Sequence, residues 1–441
     1  MTGLRQLPAA KVYYLGELWL ALAWGVTFTV TAVYFVRDVG MNPFQLVLVG
    51  TVMELSIFLF EVPTGVIADT YSRRLSLVIG WVTMGAGMIL VGSVASFPFV
   101  LLGYGIWGLG YTFTSGAYQA WITDEVGVDR VGKVFARGQQ FAYAGGLVGI
   151  VLSVVVASWS LGFAVALGGG LAVVYGLFAA LVMPEHGFTR PERQRGAMRS
   201  MGTTAARGVR FVRAQPLLIL LMVITFFAGA STESFDRLWE AQFIREIGLP
   251  GIGSLDPVVW FGLFGVVSML LGLVASEVLV RRFERVGQAR LARLLLIFST
   301  VQTAAAVGFA FAGNIVFASA TMWLYYLTRS LIAPVYMTWL NEQITDSTVR
   351  ATVISITGQS DAIGQVVGGP GLGALGTIFS LRTALAAGAS LLLPALALYG
   401  RAVRHGGAEP ELEALSVADL GPSRRAAAAG DGVFEPDARD D

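Results

Sequence analysis

Twelve apolar runs of membrane-spanning length, each roughly 20 residues, constrain this chain more than any other feature. They fall near 13–36, 44–68, 75–95, 98–121, 138–158, 161–183, 217–240, 258–280, 291–312, 314–339, 351–376 and 380–403. Turn-forming residues separate them, as at Gly40-Met41-Asn42-Pro43, Ser96-Phe97-Pro98 and Gly313-Asn314. Hydrocarbon offers no partner to a free peptide group, so runs of this kind cross a bilayer as helices. The expected fold class is therefore an all-α membrane protein with twelve transmembrane helices. Only 13% of the 441 residues are charged and 55% are hydrophobic, against about 25% charged in an average soluble chain. The first run is read as a retained helix rather than a signal peptide.

Charge fixes the expected orientation. With the N-terminus inside, 25 of the 30 Lys and Arg residues fall on the inner side and three (Arg37, Arg245, Arg382) on the outer. The other two, Arg237 and Arg329, lie within helices. The positive-inside bias puts both termini in the cytoplasm of a multi-pass protein of the bacterial inner membrane. The net charge of +1 offers no basic field for nucleic acid. Cysteine is absent, and the two histidines, His186 and His405, fall outside the runs, so neither thiolate nor histidine metal sites are expected. No phosphate cradle or nucleophile motif is present, so the expected cofactor set is empty.

The stretch EVPTGVIADTYSRRLSL, residues 61–77, reads as a hinge between the second and third runs, with Pro63 and Gly65 as breaks. Its Asp69, Arg73 and Arg74 recur 208 residues later as Glu277, Arg281 and Arg282. Farther on, Arg130, Gly138, Gln139 and Ala142 recur as Arg350, Gly358, Gln359 and Ala362 at an offset of 220. Repeats at such offsets imply two related halves of six helices. The expected division is 1–183 and 217–403, with an Arg-rich cytoplasmic linker over 184–216 and a disordered tail over 404–441.

These residues resemble the major facilitator superfamily. Its signature between helices 2 and 3 reads roughly G-x-x-x-D-R-x-G-R-[RK]. Here it survives as Gly65, Asp69, Arg73 and Arg74, with Thr70 and Ser72 at two signature positions. Four segments, FEVPTGVIAD, SGAYQAWITDEVG, ESFDRLWEAQF and GQSDAIGQVVGGPGLG, resemble the drug:proton antiporter branch, which includes actinobacterial tetracycline and macrolide efflux proteins. Helix 5 departs from that branch, carrying Gly145, Gly146 and Gly149 without the Gly-Pro pair. The resemblance implies two pseudo-symmetric six-helix bundles, alternating access, and proton-coupled efflux of amphipathic small molecules by a monomer, with the proton gradient as energy source. A proton-coupled importer and a non-transporting receptor or enzyme stand as alternatives.

Charges inside the runs are the functional candidates, because each costs on the order of 2.5–3.5 kcal/mol at mid-helix. Glu54 and Asp361 lie about ten residues into their runs and Arg329 about fifteen, near the midplane at ~1.5 Å per residue. In the resembling fold helices 2, 10 and 11 border one cavity. The three are therefore expected as one proton-coupling cluster, or Arg329 and Asp361 as a static ion pair that fixes helix packing. Moving an arginine past a desolvated carboxylate would change its proton affinity. Glu233, Asp236, Arg237 and Glu240 are read as an outer vestibule or as a helix end projecting beyond the bilayer, with Glu233 and Arg237 paired at i,i+4. Glu17 is a further candidate for substrate or proton. The resemblance implies an inner gate of Gly65, Asp69, Arg73, Arg74, Asp124, Glu277, Arg281 and Arg282. There Asp69 packs near helix 3 and the arginines face the cytoplasm. Glu61 is assigned to the hinge rather than to substrate.

Overall fold

The computed structural model describes residues 7–188, 209–251, 258–282, 288–344 and 349–406. Helix α1 spans Ala9–Arg37, α2 Pro43–Thr70, α3 Arg73–Ser93, α4 Phe97–Thr114, α5 Ala117–Val126, α6 Val128–Ala157 and α7 Leu161–Val182. Then come α8 Pro216–Gln242, extended by a π-helical turn at Phe243–Ile247, α9 Val258–Arg282 and α10 Gln288–Ala310. The chain continues as α11 Ile315–Gln343, α12 Arg350–Ile378, α13 Leu381–Ser390 and α14 Leu393–Gly406. No strand occurs among the described residues. The fold is all-α, as the apolar runs require.

Ten of the described helical stretches are long and apolar enough to span a membrane. The expected fourth and eleventh runs are not among them. Each is rich in glycine, and α12 also carries Gln359, Ser360, Asp361 and Gln365. The fourth run breaks where Gly116 takes a φ of 70°, which separates α4 from α5. The twelfth splits similarly into α13 and α14. Helix α6 starts at Val128, well before the expected 138. Pro63 and Gly65 do not break α2, which runs on to Thr70. Lipid offers the backbone no alternative partners, and Thr64 donates its hydroxyl to the Phe60 carbonyl at 2.8 Å. Most of the expected linker, 189–208, and the tail beyond Gly406 lie outside the described residues.

The sequence repeat reappears as a repeat of contacts. In the first half α1 packs on α6 and α7, α3 on α4 and α7, and α2 on α4. In the second half α8 packs on α12 and α13, α10 on α11 and α14, and α9 on α11. Each pairing of runs one to six thus recurs among runs seven to twelve. The contacts between halves obey the same symmetry, with α2 against α12 and α6 against α9. Close approach relies on glycine, as where Gly145 of α6 lies against the Leu18 carbonyl of α1.

The hydrophobic cores are arranged unequally along the helix axes. Toward the α1–α2 turn, one core joins both halves, from Phe35, Met41 and Val47 to Phe235, Phe261 and Phe309. Toward the opposite end there are two separate cores. One holds Val12, Leu77, Trp121 and Val134; the other holds Leu218, Leu291, Trp339 and Tyr399. The closed end is stitched further, with Thr377 Oγ1 accepting from the Phe44 backbone N–H at 2.9 Å and Arg245 donating to the Met41 carbonyl.

The chain contains no cysteine, so introduced thiols report cleanly on this seam. The double variant F44C/T377C is expected to cross-link under mild oxidation in native membranes, with a gel-mobility shift as readout. Failure to cross-link would contradict a seam closed at this end.

Candidate intramembrane site

Two cavities meet at the seam. The first, of about 570 Å³, lies between α2, α4 and α12 and is lined by Glu54, Glu61, Asp361, Trp107 and Tyr111 among others. The second, of about 530 Å³, lies toward the closed end and is lined by Glu54, Asp236, Arg237, Glu240, Arg329 and Tyr104 among others. Met53, Glu54 and Gln365 line both. A third cavity of about 370 Å³, held by Trp24, Trp81, Tyr118 and Gln119, shares Trp107, Tyr111 and Ser115 with the first. Met53, Glu54 and Gln365 thus form the partition between the two main cavities.

The expected cluster of Glu54, Asp361 and Arg329 does not form. Arg329 Nη1 instead lies 2.7 Å from both carboxylate oxygens of Asp236 on α8. Asp361 accepts from Gln365 Nε2 at 2.8 Å, one turn along α12. Among the described residues no hydrogen bond reaches the Glu54 carboxylate, although it shares a cavity wall with Asp361. The sequence contains two cations in mid-membrane, and α8 takes both.

The second is Arg237, whose Nε lies 3.2 Å from Glu233 Oε1. The i,i+4 pair forms as expected, and Arg237 lines the second cavity. Glu233 is only 1% exposed. A Cβ at Gly50 of α2 would collide with Glu233 Oε1 and Arg237 Nε, and one at Gly369 of α12 would reach Glu233 Cγ at 3.2 Å. The pair is thus wedged between helices of the two halves. Asp236 and Glu240 face the second cavity.

Glu61, read from sequence as part of the hinge, spans the seam instead. Its Oε1 accepts from Ser115 Oγ of the first half at 3.3 Å. Its Oε2 accepts from Gln359 Nε2 of the second half at 3.4 Å. In the structure Trp107 and Tyr111 stack with centroids 5.5 Å apart and an interplanar angle of 15°. Their i,i+4 spacing on α4 was the available signal. The buried Trp107 Nε1 has no hydrogen-bond partner.

At the other end, the α2–α3 turn is built differently from expectation. Asp69 is 73% exposed and 4.0 Å from Arg73, which pairs instead with Asp124 of α5. Arg73 therefore turns into the protein, where Phe188 lies 5.7 Å from its guanidinium. Arg74 donates to the Ala180 carbonyl. Glu185 accepts from Ser72 Oγ at 2.7 Å and from the Arg74 backbone N–H at 2.9 Å. Glu125 accepts from the Gly187 N–H at 2.7 Å. Glu125, and Glu185, which the sequence did not single out, thus tie the segment after α7 to this turn. Gly65 meets nothing that requires glycine. Glu277, Arg281 and Arg282 lie at the end of α9, and their side chains fall outside the described residues. Glu17 lies near the start of α1, where a Cβ at Gly138 of α6 would come within 3.2 Å of its Cγ. It lines neither main cavity.

Two matching helical halves, joined along a seam and enclosing polar cavities between long apolar helices, have the architecture of a membrane transporter. The Major Facilitator Superfamily model matches residues 14–357, and the chain belongs to that superfamily. This class is non-enzymatic. A relative in Bacillus subtilis (strain 168), an uncharacterized MFS-type transporter named YxaM, is 21% identical over 88% of this chain and 94% of its own length. The fold is similar to a bacterial homolog of the human lysosomal transporter Spinster in an inward-facing and unoccupied conformation. That match has a TM-score of 0.70 at 14% identity, covering 90% of this chain and 96% of that one. It is also similar to the nucleoside transporter NupG, with a TM-score of 0.65 at 12% identity over 90% and 99%. The peptide transporter POT in complex with sulfate gives a TM-score of 0.65 at 16% identity over 90% and 95%.

Removing one partner of a buried ion pair costs on the order of 3–5 kcal/mol. R237A is therefore expected to lower the melting temperature in detergent markedly, and the double variant R237A/E233Q to recover much of the loss. A double variant no more stable than R237A would show that the pair does not hold the seam.

Proposed function

We propose that this chain is a proton-coupled exporter of amphipathic small molecules, working as a monomer in the inner membrane with both termini in the cytoplasm. The observation that carries this reading is the position of Glu54. It lines both cavities and has no hydrogen bond among the described residues. It sits on α2 between Gly50, where the Glu233–Arg237 pair closes the seam, and Glu61, which bonds across it. An ionised carboxylate without a partner is costly in a lipid-surrounded interior. Taking up a proton discharges that cost, and so does taking up a substrate. A group reachable from both cavities can therefore exchange one for the other.

In this reading residues 1–183 and 217–403 rock against one another about the seam. With the N-terminus inside, the end with two separate cores faces the cytoplasm, and the cavity holding Glu61 receives substrate from there. Asp361, oriented by Gln365, is the second proton-carrying group. Arg329 and Arg237 hold Asp236 and Glu233 as fixed charges and do not travel. The inner turn, with Arg73 on Asp124, is the latch that disengages as the inner end opens. Export of antibiotic-like compounds rests on the resemblance of the helix 2, 4, 7 and 11 segments to drug:proton antiporters.

The test is proton movement in inverted membrane vesicles on addition of a panel of lipophilic compounds. Export predicts a collapse of the preset pH gradient by at least one compound, lost in E54Q and in D361N. A collapse that survives in E54Q would remove Glu54 from the coupling path. Compound-driven acidification of the opposite sign would reverse the direction to import, and no response to any compound would overturn drug efflux.

A further inference from the structure

Five acidic side chains within the helices fall into two groups. Those of α8 that face arginine, Glu233 and Asp236, are neutralised within the protein. The three that line the first cavity, Glu54, Glu61 and Asp361, are not. Their closest donors are neutral: Ser115 and Gln359 for Glu61, at the long distances of 3.3 and 3.4 Å, and Gln365 for Asp361. No Lys, Arg or His is among the described residues lining this cavity. One wall is the stacked pair of Trp107 and Tyr111, with Phe58 also lining the space.

We propose that the first cavity binds an organic monocation with a bulky aromatic or apolar body, its charge held by Glu61 and its body against the Trp107–Tyr111 stack. The proposal rests on the transport reading above and names the substrate class of that site. The chemistry is selective in three ways. Three carboxylates without a basic residue repel an anion and favour a cation in a low-dielectric space. Aromatic faces add cation–π attraction, which strengthens when the cation is desolvated. The carboxylates do not converge on one point, and among the described residues no acidic cluster is arranged to hold a metal ion. The cargo is therefore a diffuse organic charge rather than a divalent metal. The cavity volume of about 570 Å³ falls in the range of drug-sized sites, ~300–1,000 Å³. Glu61 gives the occupant a mechanical effect as well. Its present bonds cross from Ser115 to Gln359, so a cation that recruits this carboxylate loosens a contact between the halves at the inner end.

The probes are tetraphenylphosphonium and tetraphenylborate, which have nearly the same size and opposite charge. Binding to the full chain in lipid nanodiscs is read as the tryptophan quenching that disappears in W107F. Tetraphenylphosphonium is expected to bind and tetraphenylborate to give no site-specific signal. E61Q, E54Q and D361N are each expected to weaken the cation about tenfold, as is Y111A, by the scale of a desolvated cation–π contact. D129N, which alters an exposed charge at the start of α6, is expected to change nothing. Melting curves verify that each variant folds, and E61Q carries the test should E54Q not fold. Equal binding of the two probes, or cation binding indifferent to all three amides, would overturn the proposal. Because binding is read without flux, the two readings fail separately. Proton-coupled movement of neutral compounds without phosphonium binding would sink the substrate class alone. Phosphonium binding in a protein that moves nothing in vesicles would sink the transport reading alone.

Discussion

The arrangement depends on one buried ion pair seated over one missing side chain. Glu233 and Arg237 of α8 reach across to Gly50 of α2, and the Gly369 backbone of α12 closes the other side. Three helices from two halves meet there with no room for a methyl group at position 50. Lipid gives helices little hydrophobic reason to associate, so close packing and polar contact must supply it. The pair supplies both and lies on the seam rather than beside it. The cavities open one turn farther along α2, at Glu54, before Glu61 bridges the halves again.

From that seam the charges sort themselves. The two mid-membrane arginines are consumed by α8 carboxylates, leaving the acids of the first cavity to neutral donors. The second cavity carries both signs, whereas the first carries only one. A boundary of Met53, Glu54 and Gln365 divides spaces of different electrostatic character. The closed end shares a single core across both halves, while the far end keeps two.

Much of the fold could be read in the sequence because lipid leaves the backbone few choices. Run length gave the helices, and the offsets relating Asp69 to Glu277 and Gln139 to Gln359 anticipated the repeated pairings of helices. The Glu233–Arg237 pair was also legible, since one helix contains both residues. Contacts between helices were harder to read: Arg73 and Asp124 of the expected gate do meet, but the partners of Arg329 and Glu61 were not foreseen. Arg329 stands at the depth of Asp361, yet its partner is Asp236, and depth alone does not say which faces meet. Glu61 looked like part of a turn because Pro63 follows it, but the membrane holds α2 helical through the proline and places Glu61 against Gln359. Arg73 was expected to seek water; an acid on α5, some fifty positions away in sequence, turns it inward. Glu185 gave no signal, because it lies more than a hundred positions from the Ser72 hydroxyl and Arg74 backbone N–H that it accepts from.

The unequal distribution of cores has a consequence for the surrounding bilayer. A body fused at one end and split at the other presents different cross-sections to the two leaflets. Rocking the halves exchanges those cross-sections, so work is done against the lateral pressure of each leaflet. Lipids with small headgroups and those with large ones press differently at the same depth. The balance between the conformations therefore belongs jointly to the protein and to the lipid mixture around it, and the same chain in two membranes need not rest in the same shape.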